Sequence, residues 1–238
     1  MKERRMINPI YKSILSKVSK DKKSLAILID PDVFQLSKTV NFLNQLPKNT
    51  THIFVGGSTV ETGKTEATVS EIKKNTTLPI VLFPGDVSQI TNNADGLLFL
   101  SLLSGRNPEY LIGQQIKAVS KLRNNSLEII STGYILIDGD TISAVERVSE
   151  TKPMPQKNIQ EIVDTAVAGE LLGSKLIYLE AGSGAKTPIH SKIILAVKKE
   201  INIPLIVGGG IKTEMQKQTA YQAGADLVVM GTVFENNK

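Results

Sequence analysis

Apolar residues in this chain fall into short, nearly continuous runs instead of alternating with polar ones. The runs occupy 25–30, 52–57, 79–84, 96–101, 128–137, 175–180, 204–209 and 227–231, and they are rich in Ile, Leu and Val. An alternating strand keeps one face in water, whereas a continuous run of strand length is buried on both faces, as in a parallel sheet covered by helices. Stretches of helical length and composition lie between most of them, at 38–46, 65–74, 108–122, 156–172, 189–200 and 212–223. Eight such strands in 238 residues predict a closed (β/α)8 barrel, whose typical size is about 250 residues. A doubly wound open sheet is the competing architecture. Its usual sign is a Gly-x-Gly-x-x-Gly turn after the first strand, but here that strand runs into Asp30, Pro31 and Asp32.

The spacing breaks at one place. Only residues 85–95 separate the third and fourth strands, too few for a helix with its two turns. The third helix is therefore predicted to be short or missing. That interval is either a tight loop and nothing more, or a gap in the helical ring that opens an apolar groove on the barrel flank. No linker, low-complexity tract or shift in composition divides the chain, so residues 1–238 read as one domain.

Composition narrows the function classes. At 41% hydrophobic and 21% charged the chain is of ordinary globular type, and it has no cysteine. Disulfides, thiolate metal sites and thiol nucleophiles are excluded together, and a reducing cytosol is the expected compartment. No run reaches the roughly 18 apolar residues of a membrane span, and the charged first residues lead into Asn8 and Pro9, so no secretory signal is expected. The net charge of +5 comes from scattered lysines without interleaved aromatics, so nucleic acid is not an expected partner.

Candidate chemistry gathers where barrel enzymes keep it, at the C-terminal ends of the strands. Gly208, Gly209 and Gly210 after the seventh strand, with Gly231 and Thr232 after the eighth, form either tight turns or a set of accessible amides for a phosphate. Gly182, Ser183 and Gly184 add a third patch of such amides after the sixth. Asp30 is a candidate ligand for Mg²⁺, which favours carboxylate oxygens and substrate phosphates. Ser58 either joins it or caps the next helix, and Asp32 reads as a turn or capping residue. Glu180 is a charged side chain between apolar strand and glycines, placed to act as a general base, with Tyr178 on the same side of the strand. His52 and His190 stand alone and read as structural.

These rim motifs, taken in order, resemble the geranylgeranylglyceryl phosphate synthase family, which includes bacterial heptaprenylglyceryl phosphate synthases. The motifs are Leu-Ile-Asp-Pro-Asp at 28–32, Val-Gly-Gly-Ser-Thr at 55–59, Leu-Phe-Pro-Gly at 82–85, Tyr-Leu-Glu-Ala-Gly-Ser-Gly at 178–184, Val-Gly-Gly-Gly-Ile at 207–211 and Met-Gly-Thr at 230–232. The resemblance covers nearly the whole chain, and it implies a barrel without its third helix. It further implies transfer of a polyprenyl group, with geranylgeranyl diphosphate the expected donor, to the 3-hydroxyl of sn-glycerol 1-phosphate. Carried over residue by residue, Asp30 and Ser58 would hold Mg²⁺. Tyr178, Leu179, Glu180, Ala181, Gly182, Ser183 and Gly184 would bind glycerol phosphate, with Glu180 accepting its proton. Gly209, Gly210, Gly231 and Thr232 would cradle the phosphate, and the tail would lie near the missing helix.

Some relatives carry a lysine where this chain has Leu28, which places it nearer the longer second group. Neutralisation of the phosphate then falls to backbone amides, with Lys212 and Lys186 as the available cations. The family also implies a homo-oligomer, dimer or hexamer, and a transient membrane-surface contact to release a lipid product. Two other readings stay open: a different phosphate-binding barrel enzyme, such as a sugar-phosphate isomerase, and a non-catalytic prenyl-phosphate binder.

Overall fold

The computed structural model describes residues 9–123 and 125–231. Eight parallel strands close into a barrel in chain order: β1 (Ser24–Ile29), β2 (Thr50–Val55), β3 (Ile80–Leu82), β4 (Gly96–Leu102), β5 (Glu128–Leu136), β6 (Leu176–Glu180), β7 (Leu205–Gly208) and β8 (Leu227–Met230). All eight apolar runs thus become strands, and β8 pairs back onto β1 to leave no edge. Helices α2 (Thr39–Asn44), α3 (Lys64–Asn75), α4 (Gln114–Leu122), α6 (Ile159–Leu171), α7 (Ser191–Glu200) and α8 (Glu214–Gln222) cover the outside.

Each strand divides its side chains between two packed layers. Ala26, Phe54, Val81, Leu98, Ile130, Tyr134, Leu176, Tyr178, Ile206, Leu227 and Val229 fill the barrel interior. Their neighbours one residue away, such as Ile27, Ile135, Ile177, Leu179, Val207 and Val228, pack under the helices. The strands pack on both faces, with the outer face of β4 the exception, which explains why the sequence pattern is continuous and not alternating.

The short interval does lack its helix. A single 3₁₀ turn, Val87–Gln89, stands between β3 and β4. Two elements were not legible in the sequence. Helix α5 (Ala144–Ser149), capped by the Ser143 hydroxyl on the Glu146 N–H, lies over the rim beyond β5. Helix α1 (Pro9–Val18) closes the opposite end of the barrel, with Ile10 and Ile14 joining the interior core. Its first turn is held by Glu128, whose two carboxylate oxygens accept from the Ile10 and Tyr11 N–H groups at 2.7 and 2.8 Å. Buried backbone N–H groups without partners are costly, and here a carboxylate 118 residues away supplies the acceptor.

Candidate active site

The rim positions fall two residues beyond interior side chains, so the parity of the strands aims them into the barrel mouth. A cavity there is lined by Leu28, Asp30 and Gly57–Ser58 on one side, Tyr134, Tyr178 and Glu180 on another, and Ser183, Gly184, Gly209, Gly210, Lys212 and Gly231 on a third. The strand ends therefore bring together most of the residues singled out from sequence. Leu179 and Ala181 are not among them. Both face outward and are buried in the layer between strands and helices, and the Ala181 N–H is spent on the Gly208 carbonyl. Gly182 serves through its backbone, as follows. Thr232 lies outside the described residues.

Glu180 is the electrostatic centre of this cavity. It is only 5% exposed, and its Oε1 accepts a 2.8 Å hydrogen bond from the Gly182 N–H. Burial disfavours the charged form and pushes its pKa up to about 7, while Tyr178 and the Gly182 N–H pull the other way. The Tyr178 hydroxyl lies beside the carboxylate, yet it is buried without an aligned hydrogen-bond partner. Burial, followed by the neighbouring Glu180, holds both Tyr178 and Tyr134 well above the ordinary tyrosine range. Both remain neutral donors.

The glycines have two different jobs. A Cβ on Gly208 would come within 2.5 Å of the Tyr178 hydroxyl and 2.8 Å of Glu180 Oε2, and one on Gly209 within 2.4 Å of Glu180 Oε1. These two make room for the buried carboxylate. Gly209 and Gly210 also sit at φ +79° and +71°, in the left-handed region that glycine enters at little cost. Among the described residues, the N–H groups of Ser183, Gly184, Gly209, Gly210 and Gly231 donate to no protein acceptor. They are the amides an anion would find. Lys212 borders them, whereas Lys186 is exposed away from the cavity.

At the other side, Asp30 is half-buried. Its Oδ1 accepts from the Asp32 N–H at 2.9 Å, and the Gly57 Cα faces its Oδ2, with a Cβ there falling 3.3 Å away. Burial raises its pKa first of all, and the Asp32 N–H counters this. The turn role expected of Asp32 thus belongs to Asp30. Asp32 instead accepts from the Glu61 N–H and pairs with Lys64 at 3.3 Å, tying the β1 and β2 loops together. Ser58 caps nothing, because α3 starts six residues later behind Gly63.

Among the described residues no three His, Asp or Glu side chains cluster to hold a metal. One carboxylate with a free oxygen and one hydroxyl suit a Mg²⁺ that takes its remaining ligands from phosphates and water. His52 is buried against Phe54 with its Nδ1 2.7 Å from the Thr51 hydroxyl, and burial lowers its pKa to about 4. It is structural, and His190 is exposed.

Two participants carried no assigned role in the sequence reading. Phe83 stacks on Tyr178 at 5.3 Å between ring centroids, and Tyr134 meets both, at 5.9 and 5.4 Å. Phe83 and Tyr134 also line a second, strongly apolar groove that runs down the flank between the Val87–Gln89 turn, β4, α4 and α5. Its walls include Ile90, Leu97, Phe99, Leu102, Ala118, Val145 and Val148. Gly57 and Ser58 lie in both, so cavity and groove are continuous. The gap left by the third helix is therefore a groove and not a tight loop.

Comparison with known proteins agrees with this geometry. The chain is 57% identical over 229 residues to the geranylgeranylglyceryl phosphate synthase of Zunongwangia profunda, covering 96% of this chain and 98% of that one. It is 50% identical to that of Flavobacterium johnsoniae, covering 99% and 97%. The fold matches (S)-3-O-geranylgeranylglyceryl phosphate synthase from Thermoplasma acidophilum, solved with its substrate sn-glycerol-1-phosphate, with a TM-score of 0.88 at 32% identity over 96% of this chain and 92% of that one. Residues 17–238 match the PcrB family as a whole, and with rim, groove and missing helix all in place the chain belongs to that family.

Proposed function

We propose that this chain is a prenyltransferase that joins a polyprenyl diphosphate to the 3-hydroxyl of sn-glycerol 1-phosphate. The observation that carries this reading is the continuity of a polar rim cavity with an apolar flank groove. Free amides and a buried carboxylate stand at one end, and a long greasy wall at the other. The names and the bound substrate of the relatives support the same assignment.

The residues divide the chemistry as follows. The free amides at Gly184, Gly209, Gly210 and Gly231 receive the phosphate of glycerol phosphate, with Lys212 adding charge at the edge. That places the 3-hydroxyl toward Glu180 and the unpartnered Tyr178 hydroxyl. The glycerol oxygen bonds to the allylic carbon while the bond from that carbon to the diphosphate oxygen breaks. The proton passes to Glu180, whose pKa near 7 suits a base at neutral pH, and the electron pair leaves with diphosphate. Positive charge develops on the allylic carbon beside Phe83, Tyr134 and Tyr178, whose ring faces are attractive to cations.

Asp30 and Ser58 would hold Mg²⁺, which when bound offsets the charge gathering on the departing diphosphate. The cytosol is the proposed compartment, supported by the lack of cysteine; among the described residues no helix is long and apolar enough to cross a membrane. A homo-oligomer is proposed as well, supported by Leu171 and Leu172, large side chains left exposed at the end of α6. Transient contact with a membrane surface would release the lipid product. Asp30 and Glu180 do stand on different rim strands, as a sugar-phosphate isomerase would require, but the flank groove has no use in that chemistry. Incubation with sn-glycerol 1-phosphate and a ladder of prenyl diphosphates, followed by mass spectrometry, decides between them. Ether products with release of diphosphate support the reading. Turnover of neither substrate refutes it, and lipid binding without diphosphate release leaves a binder.

A further inference from the structure

The Val87–Gln89 turn that replaces the third helix contains one fully interior polar side chain. Gln89 is 2% exposed, and its amide reaches back 32 residues to both backbone groups of a single residue, Gly57. Its Nε2 donates to the Gly57 carbonyl at 2.8 Å, and its Oε1 accepts from the Gly57 N–H at 3.3 Å. Both backbone groups lie past the end of β2, where strand pairing no longer serves them. The side chain therefore acts as one residue of a neighbouring strand.

The surroundings leave that stretch of backbone little other freedom. Gly56 packs so closely on the Phe83 carbonyl that a Cβ would stand 2.0 Å from its oxygen. Gly85 lies against the Gly57 and Ser58 carbonyls, with a Cβ falling at 2.5 and 2.4 Å. The turn itself is anchored to α4, since Gln114 Oε1 accepts from the Val87 N–H and Lys121 Nζ donates to the Val87 carbonyl. Gly57 in turn faces the Asp30 carboxylate, and Ser58 follows it directly.

We propose that Gln89 is a positioning residue for the diphosphate end of the site: its amide fixes the two peptide groups that flank the Gly57 Cα and thereby the separation of the Ser58 and Asp30 oxygens. This inference rests on the functional reading above. A buried amide is a costly group to keep unless both of its ends are used, and here both ends go to the one residue beside the candidate cation ligands. Misplacing such ligands by about 1 Å costs up to a hundredfold in function.

The test is calorimetric and needs no turnover. Gln89→Met keeps the length of the side chain and removes both hydrogen bonds. Affinity for a non-reactive geranylgeranyl thiolodiphosphate, titrated with Mg²⁺ present, should fall about tenfold or more, and the Mg²⁺ concentration needed for half-saturation should rise. Affinity for sn-glycerol 1-phosphate should stay within about twofold, because the amides at Gly209, Gly210 and Gly231 do not touch Gln89. Gln89→Glu carries the test if Gln89→Met fails to fold. At alkaline pH, where the carboxylate is ionised and accepts from the Gly57 N–H but cannot donate to the Gly57 carbonyl, it should show the same split. At low pH, where the carboxyl holds a proton and donates, the split should shrink. Equal loss of both ligands, or loss of neither, overturns the proposal and leaves Gln89 a fold residue. A wild-type chain that binds no thiolodiphosphate with Mg²⁺ refutes the functional reading itself.

Discussion

Replacing Glu180 by Gln should stabilise the protein at alkaline pH while removing most of its turnover. The folded chain holds Glu180 at a pKa of about 7, against an ordinary value near 4.5, chiefly because the side chain is buried. Between those values the folded state keeps a proton that the unfolded state has released. Stability therefore falls as pH rises from about 4.5 to 7, and the full cost persists above 7. The size of the shift corresponds to about 3 kcal/mol. Gln keeps the carbonyl that accepts from the Gly182 N–H and carries no charge to desolvate. At pH 8 the variant should gain on the order of 2–3 kcal/mol, and at pH 4.5 almost nothing.

Urea denaturation at several pH values measures this directly, and the difference between the two proteins cancels every other titrating group. His52 is the main one removed that way, since its depressed pKa makes acid destabilise both chains alike. Turnover should fall by roughly 10²–10⁴, the usual worth of a general base, and wild-type kcat should climb with pH through about 7 and then level. A stability difference that does not vary with pH would show that Glu180 is not a buried proton-binding group. Undiminished turnover in Glu180→Gln would remove it as the base.

Asp30→Asn should fold normally, since its amide oxygen still accepts from the Asp32 N–H, but should lose most activity and most Mg²⁺-dependent diphosphate affinity. Full turnover at limiting Mg²⁺ would sink the metal assignment. Gly231→Ala is the cleanest probe of the phosphate cradle, because its Cβ meets nothing closer than Leu28 at 3.4 Å. The N–H remains, but the added methyl should hold the phosphate off it and weaken glycerol 1-phosphate by up to roughly 1.5–3 kcal/mol, the worth of a hydrogen bond to a charged group, without shifting the melting temperature; a joint loss with stability would make Gly231 a fold glycine. Glu128→Gln replaces one of two acceptors on the first turn of α1 by an N–H₂ group. It should cost about 1–3 kcal/mol and open Lys12 and Lys17 to trypsin, and unchanged proteolysis would show that core packing alone holds the helix.

What could be read from sequence was whatever one segment decides by itself. A strand dry on both faces must be apolar throughout, so the eight runs stood out, and 85–95 is too short for a helix whatever surrounds it. Glu180 was visible because a lone charge between apolar strand and glycine has no packing purpose. Side-chain parity was also available, since Tyr178 and Glu180 facing inward put Leu179 and Ala181 outward. What escaped depends on distant pairs. The first turn of α1 leans on Glu128, and Gln89 serves the backbone of a residue 32 positions back. Phe83 and Tyr134 look like ordinary strand residues until the barrel closes and stacks them on Tyr178.

The missing helix also explains why the polar cavity and an apolar groove meet at one point. In a complete barrel the outward face of β4 would be covered by the helix before it, as α6 and α7 cover theirs. Here Leu97 and Phe99 instead form a wall of the flank groove with Ile90 and Ala118. An apolar chain lying there would replace the absent helix face, and burying it would be favourable for the same reason that burying a helix is. That contact is non-directional and sets no register for the chain. Register has to come from the charged end, and the groove ends where Ser58, Phe83 and Tyr134 are shared with the polar cavity. Under the proposed function, a tail free to slide in the groove would be stopped with its first carbon beside three aromatic rings and its diphosphate against Asp30, whatever length lies behind it.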